Sequence, residues 1–276
     1  MERLRRNLAL ALALGAAVYL VIAVLSDLDD LTAALDSFDY ALIPAILGLV
    51  ALSYVGRFLR WMYYLRVLKV SVPTGINAAI FTSGLSMTIS PGKLGEVLKS
   101  VFVRRASGVP VARTAPAVVA ERATDGTGMV LWGFLGAFAL NLPPWTLLVF
   151  LAVAVFGIAI LRSKRLSLAA ERILWKLPFV NRLAPHLGAF HGASNELLAT
   201  RPLLVGTAIS FFSWGLECTG VYLCAVGLDA NRPFLLIVFV FAVSSLLGVL
   251  SMLPGGIGVV EAGLYGQFVT VANLST

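Results

Sequence analysis

The stretch Pro91-Gly92-Lys93-Leu94-Gly95-Glu96 follows the largely apolar run Ile76–Ile89 and puts a helix breaker, two glycines and two opposite charges into six positions. In a soluble protein this would be an ordinary loop. Here it interrupts a chain that is 59% hydrophobic and 13% charged, with a mean hydropathy of +0.92, whereas soluble domains are nearer half apolar and a quarter charged. The chain therefore reads as an all-α polytopic integral membrane protein. A membrane segment breaks at depth only where protein or water meets the freed backbone groups. Charge there costs about 2.5–3.5 kcal/mol per residue on insertion scales. The pattern returns as Pro254-Gly255-Gly256-Ile257-Gly258-Val259-Val260-Glu261. Two broken, charged segments thus organise two halves, 1–140 and 141–276.

Met1–Arg6 followed by apolar residues to Leu25 has the outline of a signal peptide. The apolar run is too long and lacks a clean small-residue cleavage site, so it is expected as a first span, Asn7–Leu25. Ser26–Asp39, with five aspartates and no Lys or Arg, is expected as a polar link. Tyr40–Leu59 is a second span. Arg57, Arg60, Trp61 and Tyr64 at its end share one helix face by their spacing. Ile76–Val103 is too short to cross twice and reads as a re-entrant hairpin. Arg104–Arg113 is a basic loop. A third span begins near Ala117 and carries Glu121, Arg122 and Asp125, of which Glu121 and Asp125 share a face. The turn Asn141-Leu142-Pro143-Pro144 leads to a fourth span, Trp145–Leu161. Arg162–Arg201 is long and polar; within it, Leu166, Ala169, Ala170, Ile173 and Leu177 oppose Arg165, Arg172 and Lys176, as in a helix lying among headgroups. Leu203–Leu228 is a fifth span with one acid, Glu217. Phe234–Ala272, bent at the second Pro-Gly break, is a second hairpin.

With the N-terminus in the cytoplasm, 20 of the 21 Lys and Arg fall on the cytoplasmic side and only Arg232 does not. That bias fixes an orientation. It gives five full spans and two hairpins entering from opposite sides. Ser and Thr precede both breaks, and Pro, Gly, Leu/Ile, Gly and a nearby Glu follow in the same order. Inverted repeats with paired broken segments mark transporters; two unrelated Pro/Gly kinks are the plainer account.

The motif Pro91–Glu96, then Lys99, Arg104, Gly108, Glu121, Arg122 and Asp125, with Arg57, Arg60 and Trp61 before it and Pro254–Gly258 and Glu261 after it, resembles the flippase-like family related to the transmembrane region of lysylphosphatidylglycerol synthase. The resemblance covers nearly the whole chain. It implies translocation of a phospholipid or lipid-linked headgroup across the cytoplasmic membrane. The soluble domain that makes the lipid in the synthases is not in this chain, so the substrate does not carry over. Such proteins usually continue past the second motif with another helix.

The candidate substrate-binding residues are Arg57, Arg60, Lys93, Glu96, Lys99, Glu121, Arg122, Asp125 and Glu261. Guanidinium groups match phosphate oxygens bidentately, while the carboxylates could meet a headgroup amine or carry a proton. The same charges could instead pair with one another and hold helices in register, because buried charges must be paired in any case. Pro91, Gly92, Gly95, Pro254, Gly255, Gly256 and Gly258 are expected to shape the breaks. No cofactor, metal or nucleic acid is expected. Cys218 and Cys224, six apart, face different ways. Asp29-Asp30 reads as solvated, His186 and His191 as surface residues, and Trp132 and Trp145 as an aromatic belt. An enzyme acting on a lipid headgroup remains the alternative, although no nucleophile–base pair or nucleotide loop is present. A further copy of the chain, or a lipid-modifying enzyme docked on Arg162–Arg201, remains open as a partner.

Overall fold

A computed structural model of the chain describes residues 28–85, 96–162, 187–230, 232–251 and 256–274. Among them the chain forms helices joined by turns, with no strand. The helices are α1 Leu28–Ser37, α2 Ile43–Val67, α3 Thr74–Leu85, α4 Leu98–Ser107, α5 Val111–Ala139, α6 Pro144–Arg162, α7 Leu187–Leu197, α8 Thr200–Gly227, α9 Phe234–Leu250 and α10 Val259–Leu274. The expected first span, the first Pro-Gly break and the stripe Leu166–Leu177 lie outside the described residues.

The helix boundaries follow local chemistry. Pro44, Pro73, Pro110 and Pro233 stand at or near helix starts, where a missing N–H costs nothing. Gly108 ends α4 with φ +74° and donates its N–H to the Arg104 carbonyl at 2.9 Å. Asn141 ends α5 at φ 51°, one of the few residue types that tolerates this region. The expected polar link 26–39 is mostly helix α1, because Leu28, Leu31, Ala34 and Leu35 give it an apolar stripe at helical spacing. The expected basic loop Arg104–Arg113 contributes the last turn of α4 and the start of α5, so the helix expected to start near Ala117 starts at Val111.

Among the described residues two helices are long and apolar enough to cross a membrane by length and composition, Tyr40–Val67 (α2 with the 3-10 turn Tyr40–Leu42 that precedes it) and Thr200–Gly227 (α8). At 1.5 Å per residue, α4 with 10 residues reaches only ~15 Å. A hydrocarbon core is about 30 Å thick. α9 and α10, of 17 and 16 residues, are antiparallel across the second break. Ser244 faces Gly263 and accepts from the Gln267 amide at 3.0 Å, and Gly248 faces Gly256 and Val260.

α2, α5 and α8 pack on one another. α9 lies on α5 and α8, α10 on α9, and the α3–α4 pair on α2 and α5. Small residues allow the close approaches: a Cβ on Gly128 would lie 3.2 Å from the Phe211 nitrogen, and one on Gly136 3.0 Å from the Leu235 carbonyl. Two apolar clusters divide α5. One gathers Trp61, Tyr64, Phe81, Val103, Ala117 and Leu197. The other gathers Val130, Ala137, Phe150, Leu236 and Phe239. Glu121, Arg122 and Asp125 lie between them. The Trp132 ring stacks on Phe211 at 4.5 Å and its N–H donates to the Phe211 carbonyl at 2.8 Å, stapling α5 to α8. Trp145 is well exposed. Both cysteines are free.

A buried ion-pair network as candidate functional site

Four elements bring charge to the layer between the apolar clusters. α5 supplies Glu121, Arg122 and Asp125. α2 supplies Arg57 and Arg60, α4 and the turn into it supply Lys99 and Glu96, and α8 supplies Glu217. Asp125 is the hub. Its Oδ1 accepts from Arg60 Nη1 at 2.7 Å and from the Ser210 hydroxyl at 2.9 Å. Its Oδ2 lies 3.1 Å from Arg122 Nη2 and 3.9 Å from Arg57 Nη1. Arg122 also reaches Glu96 at 3.2 Å. Lys99 Nζ meets Glu121 at 2.5 Å and Glu96 at 3.7 Å, and sits 4.6 Å and 5.4 Å from the ring centroids of Trp61 and Phe81. Arg57 donates to Glu217 at 2.7 Å, and so does Ser53 at 2.8 Å.

Charges of this number would not stay in an apolar chain singly. Here four acids and four bases form one connected chain of pairs. Arg60, Lys99, Glu96, Glu121 and Asp125 are buried, whereas the Arg122 side chain is 34% exposed. Pairing is nonetheless incomplete on the donor side. The Nε atoms of Arg57, Arg60 and Arg122 are buried without a hydrogen-bond acceptor among the described residues, and Asp125 Oδ2 accepts no aligned hydrogen bond. Buried donors are normally satisfied. Three guanidinium groups around one carboxylate, each with a spare N–H, form a site to which an added oxyanion would bring the missing acceptors.

Of the residues expected from sequence, Arg57, Arg60, Glu96, Lys99, Glu121, Arg122 and Asp125 are thus joined. Arg104 is exposed at the end of α4. Pro91, Gly92, Lys93, Gly95, Pro254 and Gly255 lie outside the described residues. Gly256 and Gly258 take φ +72° and φ 85°, so both need glycine's freedom. A Cβ on Gly256 would also lie 3.1 Å from the Gly248 Cα. Glu261 lies in the first turn of α10, where its Oε2 accepts the Gly258 N–H at 2.7 Å. That is the reciprocal half of a capping box.

Sequence reasoning missed Thr124, which accepts from Arg60 Nη1 at 3.1 Å, together with Ser53, Ser210 and the partnership of Glu217. Glu217 could have been found as the sole acid of its span. At the outer edge of the site, Arg113 makes a two-bond pair with Glu196 at 2.7 Å and 2.9 Å and donates to the Leu68 carbonyl at 3.2 Å, tying α7 to the ends of α2 and α5. No group of three or more His, Cys, Asp or Glu suited to a metal occurs among the described residues.

Comparison with known proteins gives a consistent picture. The family described as Lysylphosphatidylglycerol synthase TM region matches residues 8–275. A UPF0104 membrane protein of Methanothermobacter thermautotrophicus is 24% identical over 96% of this chain and 84% of its own length. A second from the same organism is 25% identical over 86% of this chain and 76% of its own length. One from Methanocaldococcus jannaschii is 28% identical over 64% of this chain and 76% of its own length. No solved structure matches the chain.

Proposed function

Because the chain is a membrane protein that belongs to the lysylphosphatidylglycerol synthase TM region family, we propose that it translocates a phospholipid or lipid-linked headgroup across the cytoplasmic membrane, as a carrier and not an enzyme. The observation that carries this reading is the spare N–H of each of three guanidinium groups in a buried ion-pair network. A merely structural set of ion pairs would be expected to satisfy its own donors. The headgroup phosphate would engage Arg122 first, since it is the most exposed of the three, and then Arg60, displacing Asp125 from both. The acyl tails would remain in the bilayer.

In this reading the N-terminus is cytoplasmic, five helices span fully, and the segments around 76–103 and 234–272 are re-entrant from opposite sides. Arg57, Arg60, Lys99 and Arg122 belong to the buried network and carry no loop bias. The remaining basic residues still lie on one side apart from Arg232, which supports the same orientation.

The test is leaflet exchange of labelled lipids in vesicles holding the purified protein. Arg122→Gln is the first variant, because its partly exposed side chain tolerates replacement. One charge-assisted hydrogen bond is worth about 1.5–3 kcal/mol, so exchange should fall at least tenfold while the fold is kept. A folded Arg122→Gln protein with wild-type exchange, or a wild type that moves no lipid from a broad panel, would sink the reading.

A further inference from the structure

We propose a second station for the lipid phosphate at Arg57, Trp214 and Glu217, halfway along α2 and α8. It rests on the translocation reading and names where the headgroup goes after Arg60. Arg57 lies three residues along α2 from Arg60, a rise of ~4.5 Å.

Three observations point to this place. The first is a pair of orphan donors. Trp214 Nε1 and Arg57 Nε are both buried without an acceptor among the described residues, and the Arg57 guanidinium carbon lies 4.7 Å from the Trp214 ring centroid. Single unsatisfied buried donors are uncommon, and two side by side are less common still. The nearby carboxylate oxygen, Glu217 Oε1, already receives Arg57 Nη2 and Ser53 Oγ. What the site lacks is an acceptor, and a phosphate brings several.

The second is that Arg57 is shared. It holds Glu217 at 2.7 Å and reaches Asp125 at 3.9 Å. When a phosphate draws Arg60 and Arg122 away from Asp125, that carboxylate becomes available to Arg57. Arg57 can then loosen its hold on Glu217 and take up the phosphate on its free edge. Arg57 stays between Asp125 and Glu217 throughout, and Glu217 keeps the Ser53 hydroxyl at 2.8 Å.

The third is access. The side chains of Arg57 and Glu217 are 12% and 17% exposed, against 1% for Arg60. Tyr54, the other ring against Arg57, is exposed on the outer face of α2. The station is therefore less enclosed than Arg60 and adjoins the exposed side of α2 that carries Tyr54, against which lipid tails would lie; a free phosphate ion has no tails to place there.

Fluorine NMR of the full chain labelled with 5-fluorotryptophan tests the assignment, the Trp214 resonance being identified by its loss in Trp214→Phe. Titration with dihexanoyl phosphatidylglycerol should move that resonance. Dihexanoylglycerol, which has tails and no phosphate, and inorganic phosphate, which has no tails, should leave it in place. In vesicles, Trp214→Phe keeps the ring and loses only the N–H, and should slow exchange of tail-labelled phosphatidylglycerol about tenfold. A resonance unmoved by phosphatidylglycerol overturns the station, as does one moved equally by dihexanoylglycerol. An equal shift with inorganic phosphate overturns the lipid assignment in favour of a general anion pocket. Wild-type exchange in folded Trp214→Phe overturns its place on the route. If the resonance moves as expected but wild type exchanges no lipid, the station stands and the translocation reading fails.

Discussion

Lys99→Met should be among the most destabilising single changes in the chain. Lys99 and its partner Glu121 are both nearly inaccessible, 2.5 Å apart. Methionine fills similar space and keeps contact with Trp61 and Phe81, replacing most of the ring attraction with a sulfur–aromatic contact of about 0.3–1.5 kcal/mol. What it cannot replace is the charge facing Glu121. Glu96 keeps Arg122 at 3.2 Å, so the loss falls on Glu121. Removing one partner of a buried pair costs about 3–5 kcal/mol, yet replacing both with apolar groups of similar size is often neutral. Lys99→Met with Glu121→Met should therefore recover most of the loss. Gly84→Ala probes the same pair from α3: its new Cβ would lie 2.4 Å from Lys99 Cγ and 2.6 Å from Cδ, pushing the ammonium off Glu121 by a smaller step. The assay is reversible unfolding of purified protein in mixed micelles by denaturing detergent, with near-ultraviolet dichroism confirming the native start. A single variant within about 1 kcal/mol of wild type, or a double variant as damaged as the sum of the singles, would refute the idea that pairing rather than packing makes this site costly to disturb.

Gly206→Ala places a Cβ 1.9 Å from the Tyr64 hydroxyl oxygen; overpacking of about 1–3 kcal/mol should exceed the gain in helix propensity of about 1 kcal/mol, leaving a net loss by detergent unfolding. Reporter fusions at Ser107 and Gly192 should read cytoplasmic and those at Leu142 and Thr276 extracytoplasmic, and a cytoplasmic Thr276 would exclude opposed hairpins.

Much of the fold was legible because membrane helices announce themselves by composition. α2, α6 and α8 lie within a few residues of their expected spans, apart from the eight residues by which α2 outruns Leu59. That extension was hidden by Arg57 and Arg60, which look like loop charges locally and are neutralised by Asp125 and Glu217 from distant helices. Glu217 looked solitary for the same reason: its partners Ser53 and Arg57 are more than 150 residues away in sequence. Periodicity puts Glu121 and Asp125 on one face, but it cannot say that one serves Lys99 and the other three arginines. Trp132 fitted a belt by its place near a turn, and only the position of the Phe211 carbonyl reveals it as a cross-helix donor.

Among the described residues the network balances four acids against four bases, and that balance has an electrical consequence. A single elementary charge carried across a membrane exchanges about 2.3 kcal/mol with the field per 100 mV. A neutral cluster displaced as a body exchanges nothing to first order, so the apparatus itself would be blind to the transmembrane potential. Any voltage dependence would then belong to the cargo. A zwitterionic lipid should cross at the same rate whatever potential is imposed on the vesicles, and an anionic one should respond with the weight of its own single charge.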